Sequence, residues 1–500
     1  MRFTRRSLVF GLLATISSLL VNAAKAQQNA NPFLAPLFTN NMVLQRNAPV
    51  PVWGWTAPGS KVTVEFRGKK ANAVAGPDGK WMAKLPPTKE GGPFELNISG
   101  PTSVKLTNIL VGDVWICSGQ SNCEMGIGNV NDADKEISGA NYPNIRLFTV
   151  QKTIGLTPTN QLVKNSQMLY GEWSPCSPQT VKTGGWNGFS AIGYFFGRML
   201  HQELNVPIGL IHTSWGGTIA EAWASEEALR PIEDFNGGID KVKSDAAAGV
   251  GPGNNPNRPT VLYNAMISPL IPFAIKGAIW YQGESNAGRA FQYRKVLPTM
   301  ITDWRNRFGV GDFPFFIVQL ANFQARNDKP VDDAWAELRE AQSMTAANLP
   351  KTGIAVTIDI GDAKDIHPKN KQDVGKRLAM SALEIAYKRK GEFASPTYKN
   401  MKVENSSVRL SFNHVSTGLM TTNNEAVQGF AIAGEDHKFV WADAKIDGKS
   451  VIVSSPSVKT PVAVRYGWSI NPAVNLYNKA GLPTSPFRTD DWPGITVKNK

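Results

Sequence analysis

The stretch "NILVGDVWICSGQSN", Asn108 to Asn122, decides how this chain is read. Before it, from Asn31 to about Thr107, short alternating runs ("VPVWGW", "KVTVEF", "KWMAKL", "FELNIS") are broken by turn residues such as "GPDG" at Gly76 to Gly79. A period of two, punctuated by Gly, Pro and Asp, describes antiparallel strands with one buried face. Residues 27–108 are therefore expected to form an N-terminal β-sandwich domain.

After the stretch, the pattern changes. Apolar runs ("NIRLFTV", "VPIGLIHTS", "GAIWYQG", "FPFFIVQLANF", "GIAVTIDIG") now alternate with helical segments ("AIGYFFGRMLHQEL", "YRKVLPTMITDWRNRF", "AWAELREAQSMTAANL", "KQDVGKRLAMSALEIAYKRK"). Strands apolar on both sides and separated by amphipathic helices describe a parallel sheet covered on both faces. Residues 109–390 are expected to be a three-layer α/β domain with about five parallel strands. Residues 391–500, with "VRLSFN", "KSVIVSS" and "VAVRYGW", return to alternation and are expected to be a C-terminal β-rich region. Two long stretches, Thr153 to Gly188 and Ser244 to Pro259, interrupt the α/β pattern and are candidates to wall a substrate cleft.

Residues 1–26 stand apart. "MRFTRR" is a basic n-region, "SLVFGLLATISSLLV" an apolar h-region and "AKA" at Ala24 to Ala26 a cleavage site, together a signal peptide; Thr4-Arg5-Arg6-Ser7 adds a weak twin-arginine hint. No later segment is long and apolar enough to span a bilayer, so the expectation is an exported protein, periplasmic or extracellular, without stable membrane insertion. Cleavage after Ala26 takes the net charge from +13 to +9, because no acidic residue precedes Gln27. Lys and Arg are scattered without a basic stripe, which argues against nucleic acid; an acidic glycan fits the charge better. Three cysteines, Cys117, Cys123 and Cys176, are too few for a disulfide framework, although one pair is allowed in an oxidising compartment. They make no C-x-x-C pattern, and no metal or cofactor is expected.

In an open parallel sheet, ligands bind beyond the carboxyl ends of the strands, and Ser121 follows the first such strand. Its surroundings, Gly119-Gln120-Ser121-Asn122-Cys123, lack the second glycine of the G-x-S-x-G elbow, which disfavours a lipase-type hydrolase. Taken alone, a serine there reads first as a helix N-cap and second as a nucleophile. A nucleophilic serine needs a base, and the chain has five histidines. His201 reads as a helix residue, and His414 and His437 fall in the C-terminal region. His212, in "GLIHTSWGG", reads as a buried histidine satisfied by hydrogen bonds, with a base as its rival reading.

His367, in "GDAKDIHPKNKQDVG", follows a strand and precedes a helix, which puts it at the rim with Ser121. Pro368 biases it to extended backbone, so Asp365, two residues earlier, shares its face and can orient the imidazole; Asp362 is a second candidate acid. Acyl transfer also needs donors for an oxyanion. "SWGGT" at Ser214 to Thr218 and "QGESNA" at Gln282 to Ala287 bring the Gly217 backbone N–H and the Asn286 side-chain amide to the same rim as candidate donors, although each alone also reads as a tight turn.

Four motifs together, "GDVWICSGQSN", "GLIHTSWGGTIAEAW", "LYNAMISPLIPFAIKGAIWYQGESNA" and "DIHPKNKQDVGKRLA", resemble those of the sialate O-acetylesterase family of carbohydrate esterases, within the SGNH hydrolase superfamily. The resemblance runs from about Phe38 to Trp492. It implies an SGNH-type fold, an acetylated carbohydrate substrate, no cofactor, Ser121 as nucleophile and His367 as base. It also implies an oxyanion hole from the Ser121 N–H, a glycine of Gly216-Gly217, and Asn286. Gln120, Trp215, Gln282 and Glu284 lie in the motif loops as candidate substrate contacts, and Trp186, Trp223 and Trp280 read as stacking faces or as core.

Two positions depart from the pattern. Lys364 stands where the superfamily often has an acid, which leaves the assignment of the acid to Asp365 open, and Cys123 replaces the methionine usual after "GQSN". The rival functions are an acetyl xylan or other plant-polysaccharide acetylesterase, a non-catalytic glycan-binding protein, and an esterase for lipidic acyl chains. The last lacks any apolar lid helix.

Overall fold

The computed structural model describes residues 31–422 and 425–500, so the expected signal peptide lies outside the described residues. Among those described, no helix is long and apolar enough to cross a membrane.

One strand links two kinds of sheet. In the N-terminal part, β1 (Val43–Gln45), β2 (Val50–Trp55), β3 (Lys61–Phe66), β4 (Lys69–Val74), β5 (Lys80–Leu85) and β6 (Gly91–Ser99) precede the 17-residue β7 (Ser103–Gly119). The alternation of β3 is the expected one, with Val62, Val64 and Phe66 buried and Lys61, Thr63 and Glu65 facing outward. β2 pairs only with β5, whereas β6 pairs with the first half of β7 and carries β3 and β4 beside it, and β1 runs parallel to the middle of β7 at Leu110–Gly112. Burial along β7 alternates up to Asn108 and is continuous from Ile109 to Gly119. Its first half faces solvent on one side, and its second half lies inside a parallel sheet covered on both. The division expected after Asn108 thus falls within a single strand, and both sides of it contribute to one hydrophobic core.

Six parallel strands form that second sheet, one more than the approximate expectation. They run in the order β13 (Thr352–Ala355), β12 (Phe315–Val318), β11 (Gly277–Tyr281), β7, β10 (Ile208–Ser214) and β8 (Tyr142–Thr149), and antiparallel β9 (Ser174–Cys176) closes the edge. The helices Ala191–Leu204, Ala290–Phe308, Ala334–Asn348 and Lys371–Ile385 match the expected segments. After β7 the chain moves out to β8, returns to β10 and then crosses to β11. Ser121 therefore sits where the order reverses, between the ends of β10 and β11, the usual location of a ligand site in such sheets.

Beyond Lys390, two four-stranded sheets and a two-stranded ribbon enclose a separate core around Leu410, Val453, Val464 and Tyr466. This is the expected C-terminal β-rich region.

The turn after β7 is set by Gly119. Its φ is 142°, and a Cβ there would lie 2.1 Å from the Tyr281 carbonyl oxygen, which accepts the Gln120 N–H at 2.9 Å. Only glycine lets the two backbones meet this closely. Gly119→Ala is expected to destabilise the protein by at least about 3 kcal/mol through strain and overpacking, read as a large fall in Tm.

Candidate active site

Ser121 opens the short helix Ser121–Glu124, whose cap position is held by Gln120. The serine makes no capping bond. Its Oγ lies 2.9 Å from His367 Nε2, across 246 residues of sequence. A hydroxyl at this distance from an imidazole nitrogen can hand over its proton.

His367 reaches Ser121 by a different route from the one expected. The strand "GIAVTIDI" ends at Ala355, and β13 is the edge strand of the sheet. The segment from Val356 to Asn370 must pass the ends of β12 and β11 to reach β7. It is tied down on the way by Thr357 Oγ1 donating to the Gln319 carbonyl at 2.5 Å and by Gly361 N–H donating to Asn322 Oδ1 at 2.7 Å.

Asp365 is the acid within reach of the imidazole. One of its oxygens lies 3.3 Å from His367 Nδ1 and accepts the His367 backbone N–H at 2.8 Å. Asp362 instead accepts the Lys364 N–H at 2.7 Å. Burial lowers the pKa of His367, Asp365 raises it in part, and Lys371 lowers it. The Trp186 ring, from the first long loop, stands edge-on to the imidazole at 5.1 Å.

The two glycines of "SWGG" differ. The Gly216 N–H is taken by buried Glu124, donating to its Oε2 at 2.6 Å, and Glu124 also pairs with Lys152. Gly217, at φ 73°, donates its N–H to no described group, and its carbonyl accepts from Asn257 in the second long loop at 3.0 Å. The Ser121 N–H is also unspent, as expected for the first residue of a helix.

Asn286 is buried in a polar chain. Its Nδ2 donates to Glu221 at 2.9 Å, while its Oδ1 accepts from Gln282 at 2.6 Å and from the Ala220 N–H at 2.9 Å. An amide nitrogen carries two hydrogens, so one remains for another acceptor. Arg289 completes the chain by pairing with Glu221 at 2.6 Å.

The remaining sequence candidates separate by exposure. Gln282 is fully buried, with its amide spent on Thr218, Asn286 and Tyr293, so it braces Asn286 and offers no surface to a sugar. Gln120 is buried as well and accepts the Ser285 N–H at 3.4 Å. Glu284 is half-buried and Trp215 is half-exposed, with the Lys152 ammonium 5.8 Å from its ring centre. Trp223 and Trp280 belong to the core, packed edge to face at 6.1 Å.

His212 is buried, with Nε2 2.5 Å from Ser214 Oγ, and burial pushes its pKa down to about 3. It is buried as its sequence first suggested, but its hydrogen bonding is only half met, because among the described residues Nδ1 has no partner. All three cysteines are free and buried, and burial raises the Cys123 thiol to about 12. Among the described residues, no group of three or more His, Cys, Asp or Glu is disposed to hold a metal ion.

Comparison with known proteins gives this geometry a family. Residues 111–384 match the family model described as carbohydrate esterase, sialic acid-specific acetylesterase. The chain belongs to this acetylesterase family. The human sialate O-acetylesterase is 32% identical over 506 residues, covering 92% of this chain and 93% of its own, and the mouse protein is 31% identical over 512 residues, covering 91% and 93%. The solved structure of a carbohydrate acetylesterase from Xanthomonas citri superposes with a TM-score of 0.82 at 41% identity, covering 92% of this chain and 100% of that one. The protein is accordingly an esterase hydrolase.

In this acetylesterase, the residues that sequence reasoning passed over are the charged ones next to the motifs: Glu124, Glu221 and Lys371. Glu221 and Lys371 lie inside motifs and Glu124 two residues past one, yet all three ionisable side chains are buried. That contrast was the available signal.

Proposed function

We propose that the protein is an exported carbohydrate O-acetylesterase of the SGNH type, acting on acetylated sialic acids. Ser121 is the nucleophile, His367 the general base and acid, and Asp365 the orienting carboxylate. The observation that carries this reading is the 2.9 Å contact between Ser121 Oγ and His367 Nε2. In the tautomer with the proton on Nδ1, facing Asp365, Nε2 is free to accept the serine proton.

His367 takes that proton as Oγ attacks the acetyl carbonyl, and the carbonyl π electrons move to oxygen. The N–H groups of Ser121 and Gly217 and the remaining hydrogen of Asn286 receive the oxyanion. Its collapse breaks the bond to the sugar oxygen, which leaves with the proton held by His367. Water, deprotonated by His367, then attacks the acetyl-serine, and acetate departs as Oγ is reprotonated. Because Gly216 is spent on Glu124, Gly217 is the glycine donor. Half-exposed Trp186 and Trp215 supply faces for the sugar rings, with Gln120 and Glu284 behind them. The amino-terminal sequence supports export.

Acetate release from O-acetylated sialic acid, acetylated xylan and octanoate esters tests this reading. The expected order is sialic acid above xylan, with octanoate at least about 10-fold below either acetyl sugar. Saturable glycan binding without acetate release, or preference for octanoate, would overturn it.

A further inference from the structure

We propose that Lys371, working through Asn122 against Glu284, is a positioning residue that clamps the His367 segment onto the nucleophile turn; the proposal rests on the Ser121–His367 reading above. Lys371 opens the helix Lys371–Ile385, a place where a lysine ordinarily projects into water, yet it is fully buried. Its Nζ donates to Asn122 Oδ1 at 2.6 Å and to the Pro368 carbonyl at 2.7 Å, and it faces the Tyr281 ring at 5.5 Å. The Asn122 amide nitrogen donates in turn to Glu284 Oε1 at 2.7 Å and to the Ile366 carbonyl at 3.0 Å.

The consequence lies in which carbonyls are held. Ile366 and Pro368 flank His367, and the His367 N–H is bonded to Asp365. The backbone bearing the imidazole is thus fixed on both sides by groups anchored to the residue next to Ser121. An isolated helix-start lysine would need none of these partners. A buried ammonium is tolerated only when it is paired and hydrogen-bonded, so these contacts commit the loop to one geometry. Burial pushes Lys371 down to about 7 and raises Glu284. The charged groups facing His367 are Asp365 and Lys371, while Lys371 itself faces Glu284, Asp365 and Cys123.

The test uses the full chain. Lys371→Met/Glu284→Gln removes both charges, so neither is left without its counterpart, and Asn122→Ala removes the shared amide without changing charge. Each variant is expected to lower kcat for 4-nitrophenyl acetate by about 10- to 100-fold while KM stays within about two-fold, the pattern of a misplaced base. The lysine variant should also move the acid limb of kcat/KM to higher pH, because the cation opposing the imidazolium is gone. A purely structural role would leave that limb in place. A folded variant of either kind with kcat within about two-fold of wild type, or an unmoved limb in the Lys371 variant, would overturn the proposal. So would failure of both variants to fold, since the cluster would then serve folding and not positioning. Ser121→Ala measured alongside separates the two readings: if it stays active the nucleophile assignment fails, and if it is inactive beside unimpaired clamp variants only the clamp fails.

Discussion

Ser121→Ala is expected to lower kcat for acetate release from an acetylated sugar by about 10⁴- to 10⁶-fold, leaving KM and Tm near wild type. The size follows from the loss of the held nucleophile, because without Oγ the acetyl carbonyl meets only unactivated water. The selectivity follows from packing. The Oγ bonds His367, a half-exposed group that water can satisfy in its place, while the Ser121 Cβ that packs near Gly216 is kept by alanine. A serine-directed phosphonate should add one mass increment to the wild-type chain and none to the variant. Equal acetate release by the two proteins would remove Ser121 from the mechanism.

What could be read from the sequence, and what could not, follows from the range of the forces involved. The change of burial along β7 at Asn108 was legible because side-chain periodicity is local: alternation marks one wet face, and its loss marks two dry ones. The four rim segments were legible for the same reason, each lying just past an apolar run. The buried use of Gln282 was not, because a glutamine in a motif loop looks alike whether it meets a sugar or Tyr293. Nor was the use of the Gly216 N–H by Glu124, nor the bond from Lys371 to Asn122, 249 residues away. These are long-range polar contacts without a period. The early end of β13 escaped as well: "GIAVTIDI" is apolar enough for a longer strand, but its chain leaves the sheet edge to cross toward β7.

His367→Ala is expected to lower kcat/KM by about 10⁴- to 10⁶-fold, similar to the serine variant, because in the proposed mechanism nucleophile and base act as a unit and their losses do not add. The double variant Ser121→Ala/His367→Ala should be no slower than either single one. The pH dependence is the sharper measurement. Only the neutral imidazole can accept the serine proton, so wild-type kcat/KM rises with pH through the pKa of His367. Burial holds that pKa below the ordinary histidine value, so activity should persist into mildly acidic solution. Asp365 opposes this shift by favouring the imidazolium. Asp365→Asn should therefore move the acid limb to still lower pH while kcat falls by about 10- to 100-fold. The loss is placed below that of a fully buried orienting carboxylate because the Nδ1 contact is 3.3 Å long and the Asp365 side chain is 48% exposed. Asp362→Asn should change neither, since that carboxylate accepts the Lys364 N–H instead. If the limb moved with Asp362 and not with Asp365, the orienting acid would have to be reassigned. The clamp variant at Lys371 should shift the same limb upward, because carboxylate and ammonium act on the His367 imidazole with opposite signs.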